Sequence, residues 1–90
     1  MPRKKDIRKE LVEQTGDESL LFADGFDSCI IGVWSFNDIL RVVYDEDEVI
    51  RTLMKRDKMS HEEAHEFFEF NIRSAYVGPK TPYFTRTITE

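Results

Sequence analysis

The chain reads as a small single-domain α+β protein. It predicts a mostly antiparallel sheet of about three strands, two helices packed on one face, and a peripheral N-terminal helix. Three observations predict this. Two β-branched and aromatic runs, Cys29–Phe36 and Ile39–Tyr44, are separated only by Asn37-Asp38, the spacing of a hairpin. The stretches Asp47–Arg56 and His61–Tyr76 repeat apolar residues at helical spacing. A last run, Tyr83–Ile88, alternates again and supplies a third strand. Ninety residues allow one domain with one modest core, with residues 1–16 as the peripheral helix and 17–90 as the core.

Taken in order, Pro2–Gln14 forms the first helix on a narrow Ile7/Leu11 stripe, and Gly16 stops it. Its basic cluster, Arg3-Lys4-Lys5 with Arg8 and Lys9, opposes the helix dipole and reads as a solvated helix start. Ser19–Ala23 is an apolar run that periodicity leaves unassigned, and Asp24-Gly25 turns the chain. Gly32 inside the first strand suggests a bulge or a close backbone neighbour. Leu40, Val42 and Tyr44 share one face of the second strand.

Asp45 then caps the second helix, whose acidic start and Lys55/Arg56/Lys58 end both suit the dipole. Val49, Ile50, Leu53 and Met54 make its apolar face. The acids 45–48 lack the ligand spacing and the glycine of a calcium loop. Ser60 and Glu63 form a capping box for the third helix. A regular helix puts Ala64, Phe67, Phe68, Ile72 and Ala75 on one stripe, with Asn71 in its middle. A buried amide without partners costs roughly 1–3 kcal/mol. Asn71 therefore either pins the following loop or floors a binding cleft. Gly78-Pro79 forbids further helix.

Charge is uneven along the chain. Residues 1–15 carry five basic and three acidic groups, residues 16–50 one and nine, and residues 51–90 seven and six, for a net −5. Nucleic-acid binding is disfavoured, since that affinity comes from neutralising phosphates. An acidic face meeting a basic partner protein is the natural expectation. No apolar run reaches the ~18 residues of a membrane span. The N-terminus lacks a secretory pattern, and the lone Cys29 fits a reducing cytoplasm.

His61-Glu62-Glu63-Ala64-His65 satisfies H-E-x-x-H, the zinc-hydrolase motif. The cap at Ser60 places His61 in a first helical turn, and no third histidine exists. Cys29 has no histidine in context, and no phosphate loop or G-x-S-x-G occurs. Neither a cofactor nor a metal is expected, and the chain points away from an enzyme. Aromatic residues are more numerous than so small a core needs: Trp34, Tyr44, Phe70, Tyr76 and Tyr83 are candidates for a binding surface.

The combined pattern resembles a family of small uncharacterised proteins encoded by bacteriophages and in bacterial genomes. It comprises Ala23-Asp24-Gly25-Phe26-Asp27, Ile30-Ile31-Gly32-Val33, Val43-Tyr44-Asp45, Met59-Ser60 with Glu62-Glu63-Ala64, Phe68, Asn71, Ala75-Tyr76-Val77-Gly78 and Thr81-Pro82. The resemblance spans roughly residues 20 to 88 and leaves out the first helix. It implies a phage origin and the cytoplasm of an infected host, and transfers no catalytic residue. Family members do not require histidine at position 61. The leading expectation is a non-enzymatic accessory protein that binds a host or phage protein. The alternative is a small-ligand or nucleotide site between the third helix and the loop after it, around Tyr44, Asp45, Asn71, Tyr76 and Thr81. A zinc hydrolase through His61 and His65 is a remote third.

Overall fold

A computed structural model describes residues 6–86 of the chain. The basic residues Arg3-Lys4-Lys5 and the end of the expected last strand, residues 87–88, lie outside the described residues. The fold is α+β, as its residue pattern predicts.

Helix α1 is Ile7–Thr15. Asp6 caps it by accepting from the Lys9 N–H, and Gly16 ends it at φ 73°, donating to the Val12 carbonyl. Leu11 enters the core while Ile7 and Val12 lie against it. The segment to residue 26 has no regular structure, yet it buries Leu20 and Phe26. A single 3₁₀ turn, Asp27–Cys29, then leads into strand β1, Ile30–Phe36. Cys29 thus sits one residue before the strand it was expected to open.

Asn37 and Asp38 both take left-handed φ values, 52° and 63°, which matches the strand twist of a two-residue hairpin. Strand β2, Ile39–Asp45, returns antiparallel to β1. The register slips between Ile30 and Gly32, so the bulge expected at Gly32 is present, with Ile31 as its extra residue. Helix α2, Glu46–Arg56, starts on Asp45, whose carboxylate accepts from the Asp47 and Glu48 N–H groups.

Helix α3, His61–Phe67, carries the predicted capping box, with both the Ser60 and Glu63 contacts formed. It does not run to Tyr76. From Phe68 to Arg73 the backbone winds as a π-helix, and the helical path ends at Ser74. Wider π turns (i→i+5 bonding) retard the angular phase of every later residue. Ala64 and Phe68 are buried as expected, but Phe67 is 39% exposed, and Ala75 and Asn71 are exposed as well. Asn71 therefore leaves the apolar stripe that a regular helix would place it in.

Strand β3, Tyr83–Thr85, pairs parallel with β2. A parallel return needs a long crossover, and α2, α3 and the π turn supply it. The sheet order is β1-β2-β3, mixed in direction. Val42, Tyr44, Val49, Ile50, Leu53, Ala64 and Phe68 form the centre of the core between helices and sheet.

Ion pairs redistribute the charge. Arg8 spans Asp24 at 3.1 Å and Asp27 at 2.9 Å, Arg51 meets Glu48 at 2.5 Å, and Arg73 and Arg86 both reach Glu46. Lys80 meets Asp17 at 2.5 Å, tying the loop before β3 to the segment after α1. Five acidic side chains of the 16–50 segment, Asp17, Asp24, Asp27, Glu46 and Glu48, are thus paired with cations from the two ends of the chain.

The Lys80 ammonium, followed by the Ser19 hydroxyl and N–H, brings the Asp17 carboxyl from 3.8 down to about 2. With the folded-state value depressed, this pair contributes stability above the unfolded-state value and loses it as pH falls through about 2. Lys80→Met raises the Asp17 titration midpoint toward 3.8 in an NMR carboxylate titration. A midpoint that stays put would show that the pair does not form in solution.

Candidate functional site

Alternation along β2 sends Leu40, Val42 and Tyr44 toward the helices and Ile39, Arg41 and Val43 to the opposite side. Register then decides what surrounds them. Trp34 lies opposite Arg41, Phe36 opposite Ile39, and Tyr83 beside Val43. Ile39, Arg41 and Val43 are half-buried, and Trp34, Phe36 and Tyr83 are exposed. The Trp34 and Phe36 rings stack at 5.4 Å with planes 3° apart, and Tyr83 meets Trp34 edge-on at 5.0 Å. The Arg41 guanidinium lies 4.5 Å over Tyr83 and donates to the Pro79 carbonyl at 2.8 Å. Phe36 is 59% exposed and Trp34 43% exposed. Contiguous aromatic side chains that stay in solvent while touching each other are unusual on a small monomer. A groove of about 440 Å³ runs between Trp34, Val43, Tyr83 and Thr85.

The five residues expected to make a ligand site divide. Asn71 and Thr81 both line a cleft of about 240 Å³ walled by Phe22, Phe26, Ile72 and Phe84. Its polar groups are largely engaged already. Asn71 Nδ2 donates to the Phe67 carbonyl at 3.2 Å. Thr81 Oγ1 donates to the Gly78 carbonyl and accepts from the Val77 N–H, closing the turn. Asn71 thus bonds back to its own helix rather than to the loop that follows, and it lines the cleft as an exposed side chain.

Tyr44 is fully buried, so it is no spare surface aromatic. Its hydroxyl accepts from the Ala23 N–H at 2.7 Å, and Ala23 lines the cleft. Burial pushes the Tyr44 phenol pKa up, opposed by the Ala23 bond. Asp45 is spent on the cap of α2. Tyr76 is 74% exposed and lines a second groove with Thr81, Arg41, Arg73 and Tyr83, so Thr81 borders both hollows. Trp34, Phe70 and Tyr83 are exposed, as the aromatic surplus suggested. Phe36 was not singled out, although its i,i+2 spacing from Trp34 places both on one face.

His61 sits exposed in the first turn of α3, its ring 6.5 Å from that of His65, and Glu62 is exposed beside it. The residue that sequence reasoning missed is Glu46. It is 1% exposed, with Arg73 on one oxygen and Arg86 on the other. Nothing local distinguishes it from its solvated-looking neighbours Asp47 and Glu48.

Fold and open face together define a small α+β domain with an uncovered aromatic sheet surface. No family model, curated protein or solved structure matches the chain. Among the described residues, no helix is long and apolar enough to cross a membrane.

Proposed function

We propose that this is a non-enzymatic accessory protein of phage type, acting in the host cytoplasm by binding a host or phage protein through the outer face of its sheet. The observation that carries the reading is the aromatic cluster of Trp34, stacked on Phe36 and met edge-on by Tyr83, left open to solvent beside Arg41. Aromatic and arginine side chains are the residue types that dominate binding energy at protein interfaces. The outward positions of β2 between Ile39 and Val43 hold one cation and no carboxylate. The partner that fits is a protein presenting an apolar patch bordered by acidic side chains. Aromatic platforms also bind single-stranded nucleic acid, but such sites add a cationic groove along the backbone. One arginine in a chain of net charge −5 does not supply that.

The test compares wild type with Trp34→Ala and Tyr83→Ala in capture from bacterial lysate, followed by binding of the purified captured protein. Loss of a central aromatic anchor costs about 2 kcal/mol or more, roughly thirtyfold in affinity. Phe70→Ala, on the helix side, leaves binding unchanged. Capture abolished by nuclease, or insensitive to both sheet substitutions, removes the proposal. A second reading, a small ligand in the Asn71/Thr81 cleft, rests on those two residues sharing one cavity. A thermal-shift panel of nucleotides and metabolites that moves nothing eliminates it.

A further inference from the structure

We propose that Glu46, His65 and Glu69 bind one divalent transition-metal ion, and that Arg73 holds the two glutamates when no metal is present. One ligand atom from each of the three residues lies within 4.8 Å of the others. Two stretches of the chain supply them: Glu46 opens α2, while His65 in α3 and Glu69 in the π turn lie on one continuous helical path. His65 and Glu69 are one turn apart and straddle the change from α to π winding, where the Phe68 N–H reaches both the Ala64 and His65 carbonyls. π segments recur at functional sites.

One imidazole nitrogen and two carboxylates make a donor set suited to borderline ions such as Zn²⁺, with a fourth position for water. Zinc at about 2.0–2.2 Å from each donor sets tetrahedral ligands roughly 3.5 Å apart. The three residues therefore close by roughly 1 Å, within the reach of glutamate rotamers.

Arg73 already marks the place as one for a cation. Its Nη2 contacts Glu46, and its Nε lies 3.6 Å from Glu69. Its side chain is 45% exposed, so solvent borders the place it would vacate, while Arg86 keeps the other Glu46 oxygen. A divalent ion brings two charges where the guanidinium brings one. The site differs from the H-E-x-x-H reading in using Glu69 and Glu46 and dispensing with His61 and Glu62.

Zinc titration of untagged, metal-free protein by calorimetry tests it, with circular dichroism confirming that each variant folds. Wild type takes up one Zn²⁺ per chain. Outer-shell changes at metal sites already cost about 10- to 100-fold in affinity. His65→Ala and Glu69→Gln, which remove ligands, weaken binding at least that much. His61→Ala leaves it within about twofold, and Arg73→Gln tightens it by removing the competing charge. No uptake by wild type overturns the proposal. So does His61→Ala weakening binding as much as His65→Ala while Glu69→Gln has no effect, the signature of the surface histidine pair alone. Binding unchanged or weakened by Arg73→Gln overturns the role given to Arg73.

Discussion

Phe68→Ala lowers stability by about 3–5 kcal/mol, the cost of emptying a fully buried phenylalanine site. Phe68 is wholly inaccessible and meets Phe84 edge-on at 5.2 Å, so it joins the helical layer to β3. It also carries the Arg73 guanidinium over its ring at 5.3 Å and opens the π turn. Phe84, its ring neighbour, is itself stacked at 5.3 Å on Tyr44, whose hydroxyl is tied to the Ala23 N–H, which restrains collapse into the space. A domain of this size has a total stability near the lower end of the usual ~5–15 kcal/mol. The thermal midpoint drops by roughly 12 °C or more. Phe70→Ala, two residues on but 76% exposed, shifts stability by less than about 0.5 kcal/mol. Denaturant unfolding of the two variants checks the contrast, and similar losses for both would contradict the assignment of Phe68 to the core.

Removing Arg73 and Arg86 together costs far more than the sum of removing each. Both arginines are substantially exposed, so each alone resembles a surface pair worth about 0–1 kcal/mol. Glu46 is not exposed. With both cations gone its carboxylate is left charged and buried, a situation that costs about 3–5 kcal/mol. Adding Glu46→Gln to the double variant restores most of the loss, because a neutral amide carries a much smaller desolvation cost. The measurement is a cycle of denaturant unfolding free energies, in chelator, over the single, double and triple variants. Additive single effects with no rescue by glutamine would show that Glu46 finds solvent or another partner.

The hairpin, both helix caps and the bulge near Gly32 were legible because each rests on neighbours in sequence. Asn37-Asp38 can be a two-residue turn whatever surrounds it, and Ser60 and Glu63 complete their box within one turn. The candidate surfaces were legible only in part. Aromatic surplus is a matter of composition, and of the residues it singles out Trp34, Phe70, Tyr76 and Tyr83 are exposed. It also pointed to Tyr44, which the core absorbs entirely. The pairing of Asn71 with Thr81 followed from their flanking the same loop. The exposure of Asn71 did not, because a helical wheel assumes one pitch and the π turn changes it.

What the sequence determined by itself was therefore local: where strands turn, where helices begin, and which stripe of α2 is apolar. Tertiary structure decided the rest. It set β3 parallel to β2, because the helical crossover returns the chain to the same end of the sheet. It left one sheet face open, since α2 and α3 both cover the other. It also turned an acidic segment into a set of internal ion pairs and buried Glu46 between two distant arginines. Those outcomes depend on groups tens of residues apart coming within a few ångströms, and spacing along the chain does not encode that distance.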